Sequence, residues 1–122
     1  MASKIIIAED DQFVAKAMTT KLIKVGYEVK TVPDGVQLME ILKSYIPDLI
    51  ILDLLMPKKD GFEVLKEIKS NPNLKDIPVV VASNLGQGED IKRAKLLGAT
   101  DYFIKANVHL PDLVAMITKM VS

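Results

Sequence analysis

Cysteine is absent from the 122 residues, which excludes both a disulfide framework and a thiolate zinc site. Tryptophan is absent and histidine occurs once. Long apolar runs are missing too: none approaches the ~20 residues that span a bilayer, and Met1-Ala2-Ser3-Lys4 lacks the apolar stretch of a signal peptide. Net charge is zero, sixteen basic side chains cancelling sixteen acidic ones, so the chain carries no overall electrostatic footprint for nucleic acid or an anionic membrane. Neither G-x-G-x-x-G nor a Walker pattern occurs. No repeat, low-complexity tract or Gly/Ser linker divides the sequence. These absences lead to the expectation of one cytoplasmic domain, residues 1–122, large enough to bury a core and without nucleic-acid or membrane partners.

What is present is an alternation of short apolar runs with stretches of helical periodicity. Strands are expected at about 4–8, 28–32, 48–53, 77–83 and 101–104, each followed by a helix. The first helix, from Asp11 or Gln12 to Val25, places Val14, Ala17, Met18, Leu22 and Val25 on one stripe and stops at Gly26. The second, about 34–44, carries Val36, Leu38, Met39, Ile41 and Leu42. The third follows Asp60-Gly61 with Val64, Leu65 and Ile68 inward and ends near Asn71-Pro72. The fourth, Glu89 to Leu97, is capped by Gly98, and the last begins near Leu110 with Leu113, Val114, Ile117 and Val121 inward. Five such units imply right-handed βαβ connections around a parallel sheet covered on both faces, a three-layer αβα fold. Spacing alone leaves the strand order open, but five strands suit the flavodoxin-like doubly wound order 2-1-3-4-5 better than the longer dinucleotide fold.

The strand ends are where the chemistry collects. Lys4-Ile5-Ile6-Ile7-Ala8 runs into Glu9-Asp10-Asp11, Leu49-Ile50-Ile51-Leu52 into Asp53, Val79-Val80-Val81-Ala82 into Ser83, and Asp101-Tyr102-Phe103-Ile104 into Lys105. Polar groups at the carboxyl ends of parallel strands face one crevice. Two carboxylates ~5 Å apart repel by roughly 3 kcal/mol at an effective dielectric of ~20, so a cation or proton must offset them. Oxygen ligands without His or Cys suit Mg²⁺, which accepts one or two carboxylates and keeps waters. A phosphoryl group on Asp53 would find that metal on one side and Lys105 on the other, with the Ser83 hydroxyl as a neutral donor.

Taken singly, each residue has an ordinary explanation. A strand-end Asp caps a turn, Asp11 serves as an N-cap, Lys105 is solvated, and Ser83 is a common turn residue. Their joint placement at four strand ends makes coincidence a poor account. His109 reads as a surface residue, the methionines as core filler, and Lys58-Lys59 as a solvated loop.

With these residues in place, the chain resembles the receiver domain of two-component response regulators, of the single-domain type similar to the chemotaxis regulator. The likeness runs over essentially the whole chain. It rests on Glu9-Asp10-Asp11, on Asp53 followed by Met56-Pro57 and Asp60-Gly61, on Ser83, and on Asp101-Tyr102-Phe103-Ile104-Lys105. The resemblance implies that Asp53 is phosphorylated from a phosphohistidine on a sensor histidine kinase or phosphotransfer protein. It implies Mg²⁺ held by Asp10, Asp53 and the backbone carbonyl of Leu55, with Glu9 acting through water. Lys105 would pair with the phosphoryl oxygens, while Ser83 and Tyr102 would form the switch that changes the surface of the fourth helix, fifth strand and fifth helix. The domain is thus expected to be a signalling switch rather than a turnover enzyme, taking part only in its own phosphotransfer and self-dephosphorylation. Its expected partners are the kinase and a downstream protein target, with a monomer or weak dimer as the assembly.

The departures are specific. Ala106 follows Lys105 where the family usually has proline after a cis bond; a cis bond costs about 2.5–4 kcal/mol before Ala and about 0.5–1 before Pro. Asn84 replaces a small residue after Ser83, and Gly86 and Gly88 flank a loop expected to move. Leu55 and Leu85 are apolar where many relatives carry polar groups that position the attacking water, which leads to an expectation of slow self-dephosphorylation. The alternative function is a receiver-like interaction module independent of phosphorylation. Aspartate-nucleophile phosphatases need an acid where Leu55 stands, and a flavin carrier would not place three acids after strand one. No effector region follows the last helix, which leads to the expectation of a stand-alone regulator. That helix lacks the arginine motif of one family of DNA-binding regulators, which argues against such a parent.

Overall fold

A computed structural model describes residues 3–83, 88–105 and 109–121. Its elements alternate as expected: β1 (Lys4–Ala8), α1 (Gln12–Val25), β2 (Glu28–Val32), α2 (Gly35–Ile41), β3 (Leu49–Leu52), α3 (Gly61–Ser70), β4 (Val79–Ser83), α4 (Gly88–Leu96), β5 (Asp101–Ile104) and α5 (Leu110–Val121). All four strand pairings are parallel, and the order is β2-β1-β3-β4-β5. This is the flavodoxin-like three-layer arrangement.

The central strands are apolar throughout because both their faces are covered. Ile6, Ala8, Ile50, Leu52, Val79 and Val81 pack with Leu38, Val64, Leu65, Ile68 and Ala94, so α2, α3 and α4 share one face. Ile5, Ile7, Leu49, Ile51, Val80 and Ala82 pack with Met18, Leu22, Leu113 and Ile117, which puts α1 and α5 on the other. Adjacent residues along a strand thus serve opposite layers.

Local chemistry sets the helix ends. Asp11 caps α1, its Oδ1 accepting from the backbone N–H of Phe13 at 2.9 Å and Val14 at 3.3 Å. Gly26 ends that helix at φ 110°, a left-handed conformation that glycine takes without a Cβ penalty. Asp34 caps α2 and Asp60 caps α3 in the same manner as Asp11.

Three expectations are corrected. The inward stripe of α1 is Ala15, Met18 and Leu22, while Ala17 and Val25 face solvent; Val36 on α2 is likewise exposed. The i, i+3, i+7 spacing of 15, 18 and 22 meets the sheet, and the other apolar residues lie on the flank or the far side. Helix α2 also stops at Ile41 rather than near 44. Lys43 N–H donates to Glu40 O and Ser44 N–H to Ile41 O, both at 3.2 Å, so the chain tightens into i→i+3 turns there. Strand β3 ends at Leu52, one residue before Asp53.

Candidate phosphoryl and metal site

Strand register builds the site. Ala8 lies opposite Leu52, so β1 and β3 end level, and Val81 also pairs with Leu52, so β4 runs on past them to Ser83. The Asp53 N–H donates to Ala8 O at 3.0 Å, and the Glu9 N–H to Val32 O at 3.0 Å, continuing the ladders for one more residue. The next side chains, Glu9 and Asp53, emerge together at the carboxyl edge. Across the sheet Ser83 pairs with Ile104, which delivers Lys105 to the same edge.

Glu9, Asp10 and Asp53 each offer a carboxylate oxygen, and these atoms lie within 4.8 Å of one another. The Lys105 Nζ sits 2.7 Å from Glu9 Oε1 and 3.2 Å from Asp53 Oδ2. Glu9 and Asp53 are buried, Asp10 is exposed, and the Lys105 side chain is largely covered. Lys105 thus meets two of the three clustered acids. Desolvation by burial pushes the Glu9 carboxyl up to about 7, with Asp53 adding to the rise and Lys105 opposing it. For Lys105, burial pulls the ammonium down, yet the Glu9 hydrogen bond and the charges of Asp53 and Glu9 outweigh it and leave the pKa raised. Burial therefore dominates the Glu9 rise, whereas the neighbouring negative charge dominates that of Lys105.

Backbone donors fix the two buried acids. Asp53 Oδ1 accepts from Leu55 N–H at 3.1 Å, and Glu9 Oε2 accepts from Asp11 N–H at 3.2 Å. Leu55 itself is 56% exposed, at the opening beside Asp53. Ser83 is fully buried at the end of β4 and hydrogen-bonded to the Tyr102 hydroxyl. Burial raises the Tyr102 pKa, the Ser83 bond lowers it, and Asp90 and Asp53 add to the rise. Every site residue singled out from the sequence therefore lies at this edge of the sheet, and Lys105 reaches Asp53 although Ala106 follows it. Asn84, Leu85, Gly86 and Ala106 with its preceding bond lie outside the described residues. Gly88 is described and begins α4.

Sequence reasoning missed what braces the loop after β3. Gly61 lies so close to that loop that a Cβ would come 2.5 Å from Leu54 Cα and 2.8 Å from Asp53 O. Asp34, buried at the start of α2, lies 3.6 Å from Lys58 Nζ, and Lys58 takes a φ of 69°. The Asp34-Gly35 pair was the available signal, an N-cap followed by a residue without Cβ. A separate cleft of about 790 Å³, lined by Met39, Leu42, Ile46, Glu67 and Leu74 among others, includes none of Glu9, Asp10 and Asp53.

The protein-family comparison matches residues 5–118 to the model described as the response regulator receiver domain. Among curated proteins, the DNA-binding dual master transcriptional regulator RpaA of a Synechocystis strain is 35% identical, the match covering 84% of this chain and 42% of that protein. The chain spans about 39–42% of the length of the curated relatives it matches. Among solved structures, the phosphorylated cyanobacterial phytochrome response regulator RcpA is 38% identical, with a TM-score of 0.85 over 98% of this chain and 91% of that one. The Mn²⁺-bound form of the response regulator Rcp1 is 34% identical, with a TM-score of 0.81 over 97% and 91%. Similarity to a regulator named as DNA-binding overturns the expectation of a protein without nucleic-acid partners, and with it the argument from the last helix. Charge balance within 122 residues says nothing of DNA contacts made elsewhere in a longer regulator, and more than half of that relative lies outside the match.

Proposed function

This chain belongs to the response regulator receiver domain family, a family of signalling domains, and from that premise we propose that Asp53 is its phosphoryl acceptor and that residues 1–122 work as one receiver unit. The observation that carries the reading is the convergence of Lys105 and two further carboxylates, Glu9 and Asp10, on Asp53. In the reaction, an Asp53 carboxylate oxygen forms a bond to phosphorus while the P–N bond of a phosphohistidine breaks. The imidazole nitrogen keeps the electron pair and takes up a proton.

The carboxylates of Glu9, Asp10 and Asp53 offer only oxygen donors, which fits a hard divalent cation; Asp10, Asp53 and the backbone carbonyl of Leu55 would hold it, with Glu9 acting through water. Bound there, Mg²⁺ would supply positive charge to the phosphoryl oxygens. The chain's own contribution is positional. The Leu55 N–H holds one Asp53 oxygen, leaving the other facing Lys105, and Lys105 neutralises charge as it builds on the phosphoryl group. Glu9 keeps the Lys105 ammonium at the site. Ser83 and Tyr102, already hydrogen-bonded, form the switch that transmits the change to α4, β5 and α5. Among the described residues no helix is long and apolar enough to cross a membrane, and a cytoplasmic location accords with a signalling domain of this family.

The test is incubation with Mg²⁺ and acetyl phosphate, followed by intact mass measurement beside an Asp53→Asn control. A single phosphoryl adduct that requires both Mg²⁺ and Asp53 is expected. No adduct with this donor or a second one would refute the reading and favour an interaction module that works without phosphorylation.

A further inference from the structure

Helix α4 is the most lightly seated of the five. Its one buried residue is Ala94, whereas α3 buries Gly61, Phe62, Val64, Leu65 and Ile68 and α1 buries three. Leu96 on α4 is 82% exposed. A methyl side chain anchors a helix weakly, because little apolar area leaves water. A second contact then carries weight: the Arg93 guanidinium lies over the Phe62 ring, 4.1 Å from its centroid. Stacking on an aromatic face suits the planar, weakly hydrated guanidinium.

Phe62 is fixed to the segment that bears Asp53. Its N–H donates to Asp60 Oδ1 at 2.7 Å, and its neighbour Gly61 donates to Leu54 O at 3.1 Å. Gly61 also approaches the Asp53 and Leu54 backbone too closely for any Cβ. The Phe62 backbone is therefore tied to the acceptor segment. Phe62, Leu54 and Ala94 belong to one core cluster, against which Tyr102 also packs. A chain of contacts runs from Asp53 through Leu54 and Gly61 to Phe62, and from the Phe62 ring to Arg93 on α4.

We propose that Arg93 is a positioning residue whose stack on Phe62 ties helix α4 to the phosphoryl-acceptor segment and sets how readily that helix leaves its seat. The proposal rests on the receiver reading and adds to it the contact through which Asp53 and α4 are coupled. Any rearrangement of α4 must break or slide this stack, so removing it favours rearrangement. Binding at Asp53 and movement of α4 are linked reciprocally, so a looser α4 gives tighter binding of a phosphoryl mimic.

The experiment titrates the full chain with beryllofluoride in Mg²⁺, read by amide NMR, and measures amide hydrogen exchange across α4 without the mimic. Wild type is compared with Arg93→Ala, Arg93→Lys, Phe62→Leu and the Arg93→Ala/Phe62→Leu double variant. Phe62→Leu keeps a buried apolar side chain and removes the ring. Each of Arg93→Ala and Phe62→Leu should tighten the midpoint and speed α4 exchange by about 2–5-fold, the shift one exposed cation–π contact gives, while α1 exchange stays unchanged. The double variant should go no further than either single one, and Arg93→Lys should recover part of the effect. Unchanged α4 exchange, an unchanged or weaker midpoint, or full additivity of the two single effects would overturn the proposal. Wild-type protein that fails to bind, or binds equally well as Asp53→Asn, would overturn the receiver chemistry and the coupling with it; exchange in the free protein still decides whether the tether exists.

Discussion

Replacing Glu9 with Gln tests the charge excess at the site through its effect on stability. Glu9 is 2% exposed, and its carboxyl is pushed from an ordinary 4.5 up to about 7 by burial, with Asp53 adding to the rise. Below pH 4.5 the folded and unfolded chains both hold this proton, and the acid costs nothing. Between 4.5 and about 7 the folded chain keeps a proton that the unfolded chain releases, so stability falls as pH rises. Above that window the folded protein carries a buried carboxylate in full. At about 1.4 kcal/mol for each tenfold in proton affinity, the fall amounts to at most ~3 kcal/mol. Glu9→Gln keeps an acceptor for Lys105 and removes the charge. In Mg²⁺-free buffer it should match wild type near pH 4.5 and exceed it by about 1–3 kcal/mol at pH 8. The assay is urea unfolding followed by far-ultraviolet circular dichroism, since the chain has no tryptophan. Wild-type and Glu9→Gln curves that run parallel from pH 4.5 to 8, or a variant that weakens as pH rises, would refute the reasoning.

Mg²⁺ added at pH 8 to a hundred times its dissociation constant should raise wild-type stability by about 2.7 kcal/mol. Asp10→Asn should lose most of that gain, and urea curves with and without the metal measure both. Gly61→Ala forces a Cβ to within 2.5 Å of Leu54 Cα, which is backbone and cannot turn away; it should cost about 3 kcal/mol or more, seen as a lower urea midpoint. Gly26→Ala meets no neighbouring atom but keeps a φ of 110°, so only backbone strain of about 1 kcal/mol should appear. Leu55 presents an apolar side chain beside Asp53, so the Asp53 phosphoryl group should decay slowly, and Leu55→Asn should shorten its lifetime several-fold, timed by intact mass after donor removal.

The sequence carried the sheet and the edge chemistry because both depend on patterns that tertiary contacts do not override. A strand buried on both faces must be apolar along its length, so Glu9, Asp53 and Lys105 stood out as interruptions. Helix faces were less legible. Ala15 and Ala17 are identical in type, and only the angle at which α1 lies on the sheet decides that the first is buried and the second exposed. Val25 and Val36 failed for the same reason: an apolar residue near a helix end adds to a stripe on paper and falls on its rim in space. The Arg93–Phe62 stack joins elements far apart in sequence, and the close approach of Gly61 to Leu54 closes an irregular loop, so no local period marks either.

Register links the site's placement to its chemistry. Because Ala8 and Leu52 are partners, a slip of β3 by one residue would do more than misplace Asp53 by about 3.3 Å. It would turn Asp53 to the opposite face of the sheet and exchange the β3 side chains between the two covered layers, which are packed for different neighbours. Placement of the acceptor is therefore enforced by the burial of Ile50, Ile51 and Leu52, all essentially inaccessible to solvent. The mutual repulsion of the acids opposes folding, and among the described residues Lys105 and the backbone N–H groups of Asp11 and Leu55 offset it in part. A site held by its core and strained by its own charge should attract cations. Neutralising any one acid should therefore stabilise the metal-free protein while weakening its hold on Mg²⁺.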